Sequence, residues 1–191
     1  MKFIEDLAGV AQWPTSRKVL LLGFPGVIAT GIAAITNVTA HRWIADPVVD
    51  VQVLNRFIGT WILVQLLATL VAVPAAIAGR EARWTAHLFV ALQCPFTAGL
   101  LFLFGTMASP LVAIFPAIVI LWTLYLGPRY GVFGLMQMVL WIVLAIAVDA
   151  SGATRYAPVL LEHGVEAQQS ALWAVTVFLH ILVLGSFCLM L

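Results

Sequence analysis

Charge is what this sequence has least of, and its few charges avoid the long apolar runs. Charged residues make up 9 % of the 191 positions, against 63 % hydrophobic ones. Six uncharged stretches result: Val19–Ala40, Phe57–Ala78, Thr85–Thr106, Pro110–Gly127, Gly131–Val148 and Leu172–Leu191. With no Asp, Glu, Lys or Arg inside them, they hold no evident proton relay and no ion-coupling carboxylate. Cysteine is scarce too. Cys94 and Cys188 stand alone, without the C-x-x-C spacing of a redox or metal pair, and read as small apolar filler. No glycine-rich phosphate loop, catalytic triad or Cys/His zinc cluster occurs, so catalysis within this chain is not expected. Nor do two short, broken segments recur in matching halves, as an inverted-repeat transporter requires.

What is present is membrane. A soluble chain of this length buries roughly two thirds of its surface, too little to hide so much apolar area. Each stretch is near the ~20 residues a helix needs to cross ~30 Å of hydrocarbon. None alternates as a barrel strand does. The expected fold is therefore all-α: a six-helix transmembrane bundle over residues 19–191, preceded by a short interfacial helix within residues 1–18. In that helix Phe3, Ile4, Leu7 and Val10 share a face, and Trp13-Pro14 turns the chain toward the bilayer. With a cytoplasmic N-terminus, Lys2, Arg17, Lys18, Arg80, Arg83 and Arg129 lie inside, and Arg42, Arg56 and Arg155 lie outside. That split obeys the positive-inside rule and leaves both termini in the cytoplasm.

Against so apolar a background, a few polar positions stand out. The first span carries Gly23, Gly26, Thr30, Ala33, Asn37 and His41 at spacings of three and four, hence on one face. Small residues let membrane helices approach closely, and close packing is the favoured reading of that face. In the third span His87, Ala91, Cys94 and Ala98 share a face, which leaves room for a flat group, and Pro95 removes a backbone bond. His180 sits within the sixth. A histidine in lipid marks a functional candidate, and two imidazoles from facing helices suffice to ligate a b-type haem. The expected ligands are His87 with His180, and His41 with His163 as a second pair, for one or two haems. The chain ends at Leu191 inside an apolar run with no anchoring residue after it, so a cytoplasmic effector domain is expected to follow.

Short motifs add a resemblance. Leu22-Gly23-Phe24-Pro25 opens the first span soon after Trp13-Pro14. Cys94-Pro95-Phe96 precedes Leu101-Phe102-Leu103-Phe104 in the third, and Phe178-Leu179-His180 precedes Gly185-Ser186-Phe187-Cys188 in the sixth. Over essentially its whole length the chain resembles the six-helix membrane domain of CqsS-type quorum-sensing histidine kinases. The same hexahelical module stands at the N-terminus of many bacterial class III adenylate cyclases.

The resemblance implies a sensory domain in the bacterial inner membrane, working as a homodimer and regulating a cyclase or kinase domain in the same polypeptide. His87 and His180 stand where the kinase has apolar residues, so a haem-bound variant reading redox state, quinone or gas is the first expectation. The alternatives are a haem-free receptor for a lipophilic signalling molecule and a diheme cytochrome b electron carrier. No nucleic-acid partner is expected.

Overall fold

A computed structural model describes residues 9–10, 12–43, 50–104 and 114–153. Among the described residues every regular element is helical: α1 (Thr15–Trp43), α2 (Val51–Leu70), α3 (Val73–Ile77), α4 (Arg83–Phe104), α5 (Ile114–Tyr125) and α6 (Pro128–Ser151). Four stretches are long and apolar enough to cross a membrane: Thr15–Thr36, Val51–Ile77, Arg83–Phe104 and Pro128–Val148, with Pro116–Tyr125 a shorter apolar helix. This is a helical membrane protein. The five expected spans in the described part fall on α1, α2 with α3, α4, α5 and α6. The expected sixth span, Leu172–Leu191, and most of the segment 1–14 lie outside the described residues.

Each boundary has a local cause. Gln12 and Trp13 donate their N–H groups to the Gly9 and Val10 carbonyls, at 3.2 and 3.0 Å, which ends one turn before Pro14 admits α1. Asp50 caps α2, its carboxylate accepting from the Gln52 and Val53 amides at 2.9 and 3.1 Å. Pro74 explains the break between α2 and α3, since it cannot donate to the Leu70 carbonyl and its ring crowds that group. α3 then closes in a Schellman motif. Gly79, at φ +63°, donates to Ala76, and the Arg80 amide reaches back to the Ala75 carbonyl at 2.9 Å. At the α5–α6 turn Gly127 adopts φ +112° and Pro128 opens α6, where a missing N–H costs nothing. Pro25 and Pro95 lie inside α1 and α4, which stay continuous around them.

α4 sits at the centre. Its buried residues fall in pairs four apart: Thr85 and Ala86, Phe89 and Val90, Gln93 and Cys94, Thr97 and Ala98, then Leu101. α1, α2 and α4 form one group of three helices, and α4, α5 and α6 another. A single core joins them, running from Val19 through Ala68, Ala86, Phe89 and Cys94 to Trp122, Tyr130 and Met138. Gly134 makes the second group possible, because a Cβ there would overlap the Trp122 ring and come within 3.2 Å of Val90. Large apolar residues such as Ile28, Ile32 and Ile35 on α1 and Met136, Val139 and Val143 on α6 remain exposed, as a lipid-facing surface requires.

A polar knot ties the start of α1 to the turn before α4. The Thr15 amide donates to Glu81 Oε2 at 2.9 Å, and the Thr15 hydroxyl donates to the other carboxylate oxygen. Ser16 Oγ donates to the Arg80 carbonyl at 2.9 Å, and Arg17 Nε to the Ala76 carbonyl at 3.2 Å. Burial by itself raises the Glu81 carboxyl pKa. The Thr15 hydrogen bonds, with the charges of Arg83 and Lys18, outweigh that and hold it below its ordinary value.

Candidate functional site

The histidine expectation meets the structure first. His87 Nδ1 lies 3.1 Å from the Arg83 carbonyl, which can only accept, so that nitrogen carries the proton. Its ring packs on Tyr130 and Phe133 of α6, with centroids 4.8 and 5.2 Å away. The room beside Cys94 and Ala98 is taken by the α6 backbone: Cys94 is fully buried and its Sγ donates to the Gly134 carbonyl at 3.7 Å. Among the described residues no His, Cys, Asp and Glu side chains gather into a group able to hold a metal ion. The expectation of haem b is therefore corrected, and the small-residue face below His87 serves helix packing. His163 and His180 lie outside the described residues. His41 lies in the last turn of α1, and only its backbone is described.

The stripe on α1 has a clearer outcome. Over its first half it is the close-packed face the spacing predicts. A Cβ on Gly23 would overlap the Thr69 side chain, and one on Gly26 would overlap the Gln65 amide. Thr69 and Gln65 are buried. Thr69 Oγ1 donates to the Gln65 carbonyl at 2.7 Å, and Thr30 Oγ1 donates to the Gly26 carbonyl at 2.8 Å. In this half the Thr69 and Gln65 side chains of α2 lie directly against the α1 backbone.

One turn beyond Thr30 the seam opens. A groove of about 380 Å³ runs between α1 and α2, lined by Ala34, Ile35, Val38 and Thr39 on one side and Asn55 and Gly59 on the other. A Cβ on Gly59 would meet nothing within 4 Å. Thr39 spends its hydroxyl proton on the Ile35 carbonyl, so Asn55 is the polar side chain left at the groove. Asn55 Oδ1 is buried and has no partner among the described residues.

Behind the groove, α2 and α4 enclose a second polar point that sequence reading missed. Trp61 Nε1 donates to Gln93 Oε1 at 2.7 Å. An indole N–H can only donate, which fixes the orientation of the Gln93 amide. Its Nε2 is buried without an acceptor. Phe96 stacks parallel to Trp61 with centroids 6.2 Å apart, and Phe57 tilts against both rings. The sequence signal was available: Gln93 is a polar residue in an uncharged span, six residues after His87.

No family model, no curated protein and no solved structure matches this chain. The described residues thus define a helical membrane bundle with polar contacts inside and an open, largely apolar groove between α1 and α2.

Proposed function

We propose that the chain is a membrane-embedded sensory domain that takes a lipophilic signalling molecule from the bilayer into the groove between α1 and α2. The observation that carries this reading is the groove itself, apolar along its walls and joined end to end with a seam too tight to admit anything. An occupant would change the spacing of α1 and α2 only beyond Thr30, and the polar knot at Thr15 and the fixed half of the seam would convert that into a tilt. A ligand shifts such an equilibrium by its differential affinity for the two states. The effector, a class III nucleotidyl cyclase domain in the same polypeptide, follows from the resemblance of the span motifs. So do the homodimer, the cytoplasmic termini and the bacterial inner membrane.

The test is photolabelling of the chain in lipid nanodiscs with a diazirine-bearing long-chain hydrocarbon. Labels are expected to concentrate on the segments holding Val38 and Gly59, and Gly59→Phe is expected to remove them by filling the groove. Labels spread evenly over Ile28, Ile32 and Val139 would defeat the reading. A fusion to a class III catalytic domain then tests the effector: cyclic AMP output should respond to groove occupancy and lose that response with Gly59→Phe.

A further inference from the structure

The Thr15 end of the bundle gathers positive charge around a single loop. Arg17, Lys18, Arg80 and Arg83 belong to the polar knot or flank it. Arg129 opens α6 at the same end, where Tyr130 Oη donates to the Arg83 carbonyl at 3.5 Å. Glu81 is the acid set among them, and it is already engaged by Thr15 and by Arg83, whose Nε is 3.7 Å from its carboxylate. No carboxylate among the described residues pairs with Arg17, Arg80 or Arg129.

One of these arginines has its backbone fixed at this turn and another its side chain. The Schellman turn at Gly79 fixes Arg80 immediately past the end of α3, and the Ser16 hydroxyl binds the Arg80 carbonyl from the other side. Arg17 spends its Nε on the Ala76 carbonyl of the same turn, which leaves its terminal guanidinium nitrogens for another acceptor. Arginine suits phosphate, which it meets with two parallel hydrogen bonds. Three residues before Arg80, Ile77 is 79 % exposed on α3. Trp13 and Trp84, 42 % and 59 % exposed, mark this end as headgroup level.

We infer that Arg17 and Arg80 form a seat for the headgroup phosphate of an anionic phospholipid, with Arg83 beside it and an acyl chain lying along Ile77. Cations beside an exposed apolar side chain in one turn are the complement of an amphiphile with an anionic head. Basic pockets at the ends of membrane helices bind anionic headgroups in this way. A free phosphate would use the arginines and leave Ile77 uncovered. The lipid would brace the turn that ties α1 to α4, and so the end of the bundle where the polar knot lies.

The experiment is native mass spectrometry of the whole chain, released from detergent containing equimolar phosphatidylglycerol and phosphatidylcholine. The wild type is expected to retain phosphatidylglycerol preferentially. Arg80→Gln keeps both backbone hydrogen bonds of the turn, and should lower that preference about fivefold. Arg129→Gln, at the same end but away from the turn, should leave it unchanged, and excess inorganic phosphate should not displace the lipid. Equal retention of the two lipids by the wild type would overturn the seat. Equal losses from Arg80→Gln and Arg129→Gln would replace it with a diffuse field. Displacement by inorganic phosphate would assign it to a free anion.

Discussion

The seam between α1 and α2 behaves as two interfaces in series. From Gly23 to Thr30 it is closed by missing side chains, with glycine on α1 receiving Thr69 and Gln65 from α2. From Ala34 to Thr39 the same face of α1 continues, yet α2 answers with Gly59 and Asn55, and the gap stays open. Both halves contain glycine, but on opposite helices: Gly23 and Gly26 of α1 are filled by α2 side chains, whereas nothing of α1 fills the space beside Gly59 of α2. A glycine therefore means close approach when a partner side chain fills its space, and a cavity when none reaches it.

Substitutions can break this contrast. The largest effect is expected from Gly23→Leu: Thr69 is β-branched, buried and unable to swing aside, so the closed half must separate. Overpacking of this kind costs about 3 kcal/mol, seen as a fall in thermal midpoint in detergent. Gly26→Ala should be milder, about 1 kcal/mol, because the obstacle is the end of the flexible Gln65 side chain. An unchanged midpoint for both would mean the seam is looser than described.

Weaker still is the contribution of Glu81 at the start of α1, where a carboxylate near a helix N-terminus is worth about 0.5 kcal/mol. Because its pKa is lowered on folding, that stabilisation is complete above the ordinary glutamate value of 4.5 and lost as pH falls through the lowered value. The protection factor of the Thr15 amide, measured by hydrogen exchange relative to the intrinsic rate at each pH, should fall on that acid side, and Glu81→Gln should remove the pH dependence.

The smallest change belongs to the open half. Gly59→Ala meets no atom and replaces a poor helix former, so stability should stay level or rise by up to about 1 kcal/mol. A loss comparable to that of Gly26→Ala would erase the distinction between the halves.

Much of the architecture was readable because lipid imposes it. A span of ~30 Å demands about twenty apolar residues, so α1, α4 and α6 could be placed to within a few residues, while α2 begins six residues before the expected Phe57. The stripe from Gly23 to Thr30 was legible for the same reason, small residues at helical spacing having few other uses in a membrane. The role of His87 was not. A histidine beside Ala91, Cys94 and Ala98 looks the same in sequence whether the free space holds a cofactor or a neighbouring backbone. Gly134, forty residues away, decides for the backbone by letting α6 approach. The groove was hidden similarly, since Gly59 becomes informative only once Ala34 and Val38 are known to face it. Gln93 was overlooked because its partner, Trp61, lies on another helix.

The paired burial along α4 also has a mechanical side. Steps of four residues overshoot a helical turn by about 40°, so from Thr85 to Leu101 the buried line winds some 160° around the axis. α4 therefore turns a different side to its neighbours at each membrane face, like a crankshaft whose throws point in different directions. A small rotation of this one helix would press on different partners in the two leaflets, giving two unlike outputs from a single input.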